Sequence, residues 1–238
     1  MPLKQAPPKQ ASLETSALKS APLSFRIAVR KIETAEDRHR ALTVLESVYR
    51  SEKAWIADLD RFFPAGDVAR EELSWFLAER DGAPVGVTRV LYELPMELYS
   101  SYGFELVDPS LDPEAFVRDH RIAEIGRFAV VPRHRRSFMV AASLMRAAAA
   151  ETIERGFTHY ITDVFETDPN SPLKFHQRIL GFQTVATHNV GELAHLGRRI
   201  TMLLDLKAAF QRLQRGNRWF YRFITQGWND RLVQQLSI

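Results

Sequence analysis

The chain has 238 residues, 45% of them hydrophobic, enough to bury one sizeable core in a single main domain. Cysteine is absent, which excludes disulfides, thiolate zinc sites and cysteine nucleophiles. Of the net charge of +3, Lys4, Lys9 and Lys19 against Glu14 account for +2, so the rest of the chain is nearly neutral and its basic residues are local patches suited to an acidic partner.

Residues 1–24 are rich in Pro, Ser, Ala, Gln and Lys and lack both a signal-peptide core and a folding face, so a disordered tail is expected. No apolar run approaches the ~18 residues of a membrane span, which points to a soluble, cytoplasmic protein. Residues 25–32 alternate as a strand, and Thr34 with Asp37 forms a capping pattern ahead of a helix carrying Ala41, Leu42, Leu45, Val48 and Tyr49. "LSWFLAERDGAPVGVTRVLYEL" predicts a β-hairpin turning at the Asp-Gly-Ala-Pro segment. Residues 95–120 read as loops and short helices. "RIAEIGRFAVV" (121–131) is a strand, and Ala141, Leu144, Met145, Ala148, Thr152 and Ile153 line one face of a helix ending at Gly156. A buried strand (158–165), a short helix closing at Gly181, and strands at 183–188 and near 198–206 follow. Strand and helix alternating after an antiparallel hairpin indicates an α/β (α+β) fold, with a mixed sheet flanked by helices.

Residues 207–238 predict C-terminal amphipathic helices packed on a domain spanning 25–206. Phe210, Leu213, Phe220, Phe223, Ile224 and Leu232 fall at core spacing. Arg and Trp residues interleaved with them also suit a membrane surface or an acidic partner, so peripheral contact with the inner membrane face is the alternative use of this segment. Nucleic-acid binding has weaker support, because basic and aromatic residues interleave only here.

No P-loop, G-x-G-x-x-G or G-x-S-x-G occurs, and the seven histidines have no metal-ligand spacing, so no metal is expected. The segment Arg127 to Arg136 holds four arginines and no acid. There a strand runs through a basic turn into a helix, an arrangement that gathers free backbone N–H groups and positive charge at one spot. Arg133, Arg135 and Arg136 add bidentate donors suited to phosphate. A solvated basic turn without a ligand is the plainer alternative.

"V-x-P-x-x-R" followed by helix, strand and "N-x(10)-G-F" resembles the GNAT acyltransferase superfamily over residues 25–206. Within it, "EIGRFAV" (124–130) is similar to the E-x-S-R-F-x-V strand of acyl-homoserine-lactone synthases, with Gly126 in place of Ser. The closest resemblance is to the long-chain N-acyl amino acid synthases. It implies a GNAT fold with a central, mixed but mostly antiparallel sheet flanked by helices. It also implies an acyl-thioester donor, either acyl-CoA or the phosphopantetheine of an acyl carrier protein, and a small amine acceptor such as an amino acid.

Carried onto this sequence, the resemblance gives Glu124 as the carboxylate that orients or deprotonates the amine. A plain ion pair with Arg127 or Arg89 is its structural alternative. Arg127 reaches the same face as Glu124 only if the strand carries a bulge. Backbone amides of Phe128, Ala129, Val130 and Val131 would pair with the pantetheine arm. The anion-binding loop spans Arg133, Arg135, Arg136, Ser137, Phe138, Met139 and Val140, with Phe138 and Val140 at the positions where the family has glycine. Side chains there would crowd a pyrophosphate, which favours a carrier protein with its single phosphate. Asn170 matches the family asparagine. The general-acid position falls on Gln177 without a gap, or on His176 if one residue is inserted. An ordinary acetyl-CoA transferase and a non-catalytic acyl-binding module are the competing functions.

Overall fold

The computed structural model describes residues 27–94, 101–191, 193 and 197–237. The strands are β1 (Ile27–Lys31), β2 (Leu73–Arg80), β3 (Ala83–Leu91), β4 (Glu105–Leu106), β5 (Ile122–Val130), β6 (His159–Phe165), β7 (Gln183–His188) and β8 (Arg199–Asp205). The helices are α1 (Ala35–Leu45), α2 (Leu59–Phe62), α3 (Pro113–Asp119), α4 (Met139–Glu154), α5 (Leu206–Gly216), α6 (Arg218–Ile224) and α7 (Asp230–Ser237). Residues 1–24, expected as a tail, and the first two residues of the predicted first strand lie outside the described residues.

The strands form one sheet in the order β1-β2-β3-β5-β6-β8-β7-β4. Every neighbouring pair is antiparallel except β5 and β6. This is the mixed, mostly antiparallel sheet that the order of elements predicts. The hairpin turns on Asp81 and Gly82, both at positive φ (53° and 76°), as a two-residue Asp-Gly turn requires. Pro84, expected in the turn, instead lies inside β3, where the register slips between Ala78 and Glu79; a bulge tolerates its missing N–H.

The near-continuous apolar run of β2 follows from burial on both faces. Trp75 and Leu77 pack with Ala41, Val44, Leu45, Phe62 and Phe63 on the α1 side, while Phe76 and Ala78 join the core under α4. The Thr34 hydroxyl accepts the Asp37 N–H at 3.1 Å, the predicted cap of α1. On the other face α4 approaches β3 so closely that a Cβ on Gly86 would stand 2.8 Å from Val140 Cγ1 and 3.2 Å from the Ala129 carbonyl oxygen. Leu206, Phe210, Leu213, Phe220, Ile224, Leu232 and Leu236 of the C-terminal helices belong to the same apolar cluster as α4, so α5 to α7 cover that face of the sheet.

Candidate active site

β5 and β6 pair only through Ile122–Glu124 against His159–Ile161. Beyond Glu124 the two strands part, while β5 keeps its pairing with β3 as far as Val130. The wedge they leave opens into a cavity of about 420 Å³, within the usual size range of small-molecule sites. Val131 donates its N–H to Val85 O at 3.0 Å. By strand alternation Val130 and Phe128 therefore turn their peptide groups away from β3, toward the wedge.

Two of those carbonyls are used by the protein itself. Phe128 O accepts the Tyr49 hydroxyl at 3.3 Å and Val130 O accepts Arg135 Nε at 2.7 Å. Burial raises the pKa of Tyr49 to about 12, so its proton stays in place.

The bulge needed to bring Glu124 and Arg127 together is present. Register passes from Val87 opposite Ala129 to Arg89 opposite Gly126, so Thr88 faces both Arg127 and Phe128, and Arg127 sits at φ 50°. Both Glu124 and Arg127 line the cavity. The Arg127 guanidinium lies 4.0 Å from the Phe62 ring centroid, a cation–π contact, while Glu124 accepts Arg89 Nη2 at 2.6 Å. The ion-pair alternative for Glu124 is thus realised through Arg89, and the same carboxylate also borders the cavity. A Cβ at position 126 would stand 3.0 Å from Glu124 Oε1, so glycine leaves this carboxylate room that serine would restrict.

The short helix predicted to close at Gly181 has wide turns over Phe175–Leu180, with Gly181 N–H bonded five residues back to His176 O at 2.8 Å. A wide turn absorbs one extra residue, as the expected one-residue insertion at His176 requires. His176 is buried and lines the cavity, whereas Gln177 is exposed and donates to Thr184. His176 Nδ1 stands 2.9 Å from Pro172 O and must donate to it, which leaves Nε2 as the bare nitrogen. Burial lowers its pKa to about 4. At neutral pH the ring can accept a hydrogen bond at Nε2 and has no proton to give there, which runs against the general-acid role expected for it.

The basic turn divides into inward and outward groups. Arg135 forms a bidentate pair with Glu52 at 2.6 and 2.5 Å, and Asn170 Nδ2 donates to the same carboxylate at 3.2 Å. The hydrogen bonds from Arg135 hold the Glu52 carboxyl below its ordinary pKa. Beside them Lys53 pairs with Asp168 at 2.5 Å, and Asp168 caps the turn through the Asn170 N–H. Arg135, expected to hold donor phosphate, and Asn170, matched to the family asparagine, are thus both tied to the Glu52 carboxylate, and Arg133 and Arg136 are the exposed cations of the turn.

Ser137 and Phe138 border the cavity. Val131, Arg133, Arg136, Met139 and Val140 do not. Val140 is buried against Gly86, so its side chain points into the core and cannot crowd a pyrophosphate; only Phe138, 41% exposed, stands at the mouth. The Ser137 hydroxyl accepts the Met139 N–H at 3.3 Å, and Phe138 itself supplies no side-chain cap, so the amides that follow Met139 are the ones suited to an anion.

Sequence reasoning missed Tyr49, Glu52, Lys53, Asp168 and Arg199. Buried Arg199 lines the cavity, donates to Leu193 O at 3.0 Å and lies 4.6 Å from the Phe165 ring centroid. Nothing local in the sequence marks these residues.

Residues 40–196 match the family described as N-acyl amino acid synthase FeeM. The chain belongs to this family. It is therefore an acyltransferase of the GNAT superfamily. No curated protein sequence matches the chain. Among solved structures, it resembles FeeM, an N-acyl amino acid synthase from uncultured soil microbes, with a TM-score of 0.59 at 17% identity over 79% of this chain and 95% of that one. The ribosomal-protein-S18-alanine N-acetyltransferase of Escherichia coli matches with a TM-score of 0.53 at 15% identity, over 76% of this chain and 94% of that one. The PaiA N-acetyltransferase of Thermoplasma acidophilum, solved in complex with coenzyme A, matches with a TM-score of 0.52 at 13% identity, over 76% and 99%. At such identities these structures establish the shared fold.

Proposed function

We propose that this FeeM-family acyltransferase moves a long acyl group from acyl carrier protein to the amine of an amino acid. The observation that carries this reading is the position of Glu124, where β5 and β6 part, beside turned-out peptide groups and an aromatic wall. The residues present fit a thioester arm. The N–H groups of Phe128 and Val130 face the wedge, and Trp55, Phe128, Phe165 and Phe175 give apolar lining for an acyl chain. The donor supplies an activated carbonyl.

Glu124 accepts a proton from the attacking amine, directly or through water, as the C–N bond forms. The C–S bond then breaks, and the thiolate takes its proton from Glu124 or water. Arg89 holds Glu124 in place. His176 serves by accepting a hydrogen bond from the amine. Arg127 braces the bulge against Phe62 and so fixes the donor-facing amides. For the acceptor, Arg199 offers a buried cation suited to an amino acid carboxylate.

The engagement of Arg135 by Glu52 supports a donor with little phosphate to hold. Arg133 and Arg136, exposed on the basic turn, suit the acidic surface of a carrier protein.

Rates with a long-chain acyl carrier protein, the same acyl-CoA and acetyl-CoA, measured side by side, test the donor. The carrier thioester is expected to react fastest, and Arg133→Gln/Arg136→Gln is expected to raise its KM about tenfold, as loss of two rim charges implies. Preference for acetyl-CoA, unaffected by that double substitution, contradicts the reading.

A further inference from the structure

The C-terminal helices present a second surface whose chemistry the acyl-transfer site does not use. At about 100° per residue, Arg218, Trp219 and Arg222 share one face of α6, opposite the buried Phe220 and Ile224. Trp219 is 58% exposed, the largest side chain of the molecule left so open among the described residues. It stacks on Phe223 with centroids 6.0 Å apart and meets Phe138 edge-on at 6.2 Å. Gln214, Arg215, Arg218, Tyr221 and Arg222 line a shallow depression beside it, so three guanidinium-bearing chains converge at one spot.

No acidic residue occurs from Leu206 to Ile224. Arg215, Arg218 and Arg222 form no ion pair among the described residues. The opposite faces of α5 and α6 are locked into the core by Phe210, Leu213, Phe220 and Ile224, so this surface is displayed on a fixed frame.

Exposed tryptophan between arginines, without acids, is the composition that suits the headgroup layer of a membrane: the indole sits at the apolar boundary and the guanidinium groups reach lipid phosphates. We propose that the Arg215, Arg218, Trp219 and Arg222 face docks the protein on a bilayer containing anionic phospholipid. Phe138 belongs both to this face and to the cavity mouth, so docking sets the mouth against the lipid surface. A long acyl product leaving the cavity there enters an apolar phase without crossing water. The docking rests on this surface and not on the identity of the acyl donor, and it is read without any transfer assay.

Full-length protein is sedimented with phosphatidylcholine vesicles and with vesicles of phosphatidylcholine and phosphatidylglycerol. Binding is expected only to the anionic vesicles and is expected to weaken as salt is raised. Arg218→Gln/Arg222→Gln should lower partitioning on the order of 30-fold, and Trp219→Phe should abolish the blue shift of tryptophan emission on binding. Circular dichroism melts check that the variants stay folded, which exposure of all three residues leads one to expect. The proposal is overturned if the wild-type protein ignores anionic vesicles or if the double substitution binds them unchanged. It is also overturned if these substitutions weaken the affinity for carrier protein while leaving vesicle binding intact.

Discussion

At the scale of single residues, His176 carries the clearest pH signature. Its pKa of about 4 in the fold lies below the ordinary 6.5 because burial disfavours the charged ring. As pH falls from about 6.5 to about 4, the unfolded chain takes up a proton that the folded chain refuses. Stability therefore declines across that window, by up to roughly 3 kcal/mol, and is fully present above it. His176→Asn, which keeps a donor for the Pro172 carbonyl, should lose this slope in melts taken across that pH range. A slope equal to that of the wild-type protein contradicts the buried neutral ring. Glu124 and the basic turn were legible in the sequence because the strand motif and the arginine spacing are local. The tautomer of His176 and the pairing of Arg135 were not: Glu52 is 83 residues from Arg135 and 118 from Asn170, and only the fold brings them together.

At the scale of elements, the predicted strands and the long helix correspond to β1 to β3, β5 to β8 and α4, since hydrophobic period alone fixes their type. The pattern did not reveal the wide turns at Phe175–Leu180, because a six-residue segment is too short for hydrophobic period to separate a wide turn from an α-helical one. Nor did it show which side of α4 carries Val140, because that depends on how closely the helix sits on the sheet. This contact yields a test: Gly86→Ala forces its Cβ toward Val140 Cγ1 and Leu144 Cδ1, 2.8 and 3.1 Å away, and should cost about 1–3 kcal/mol by overpacking. Combining it with Val140→Ala should recover part of that loss. Additive losses in denaturant titrations would show that the two sites are not in contact.

At the scale of the whole molecule, the C-terminal helices complete the core that supports α4 and, through it, the basic turn. Phe220, 1% exposed, sits in the shared apolar cluster, and Phe220→Ala should cost about 3–5 kcal/mol. A loss below about 1 kcal/mol in chemical denaturation would mean that α6 adds little to the core. The same helices turn Trp219 and its neighbouring arginines outward, so one segment both stabilises the acyl-transfer domain and furnishes its docking face.

The central claim is that parted β5 and β6 hold a thioester carbonyl beside Glu124 for attack by an amino acid amine. Mass spectrometry of lipid extracts from a host expressing the wild-type protein or Glu124→Gln tests it most directly, since one spectrum reports both acyl chain and acceptor. An N-acyl amino acid should accumulate with the wild-type protein and fall by about 10²-fold or more with the variant, at equal amounts of folded protein. Absence of any N-acyl product from the folded wild-type protein, or equal yield from Glu124→Gln, would contradict the account.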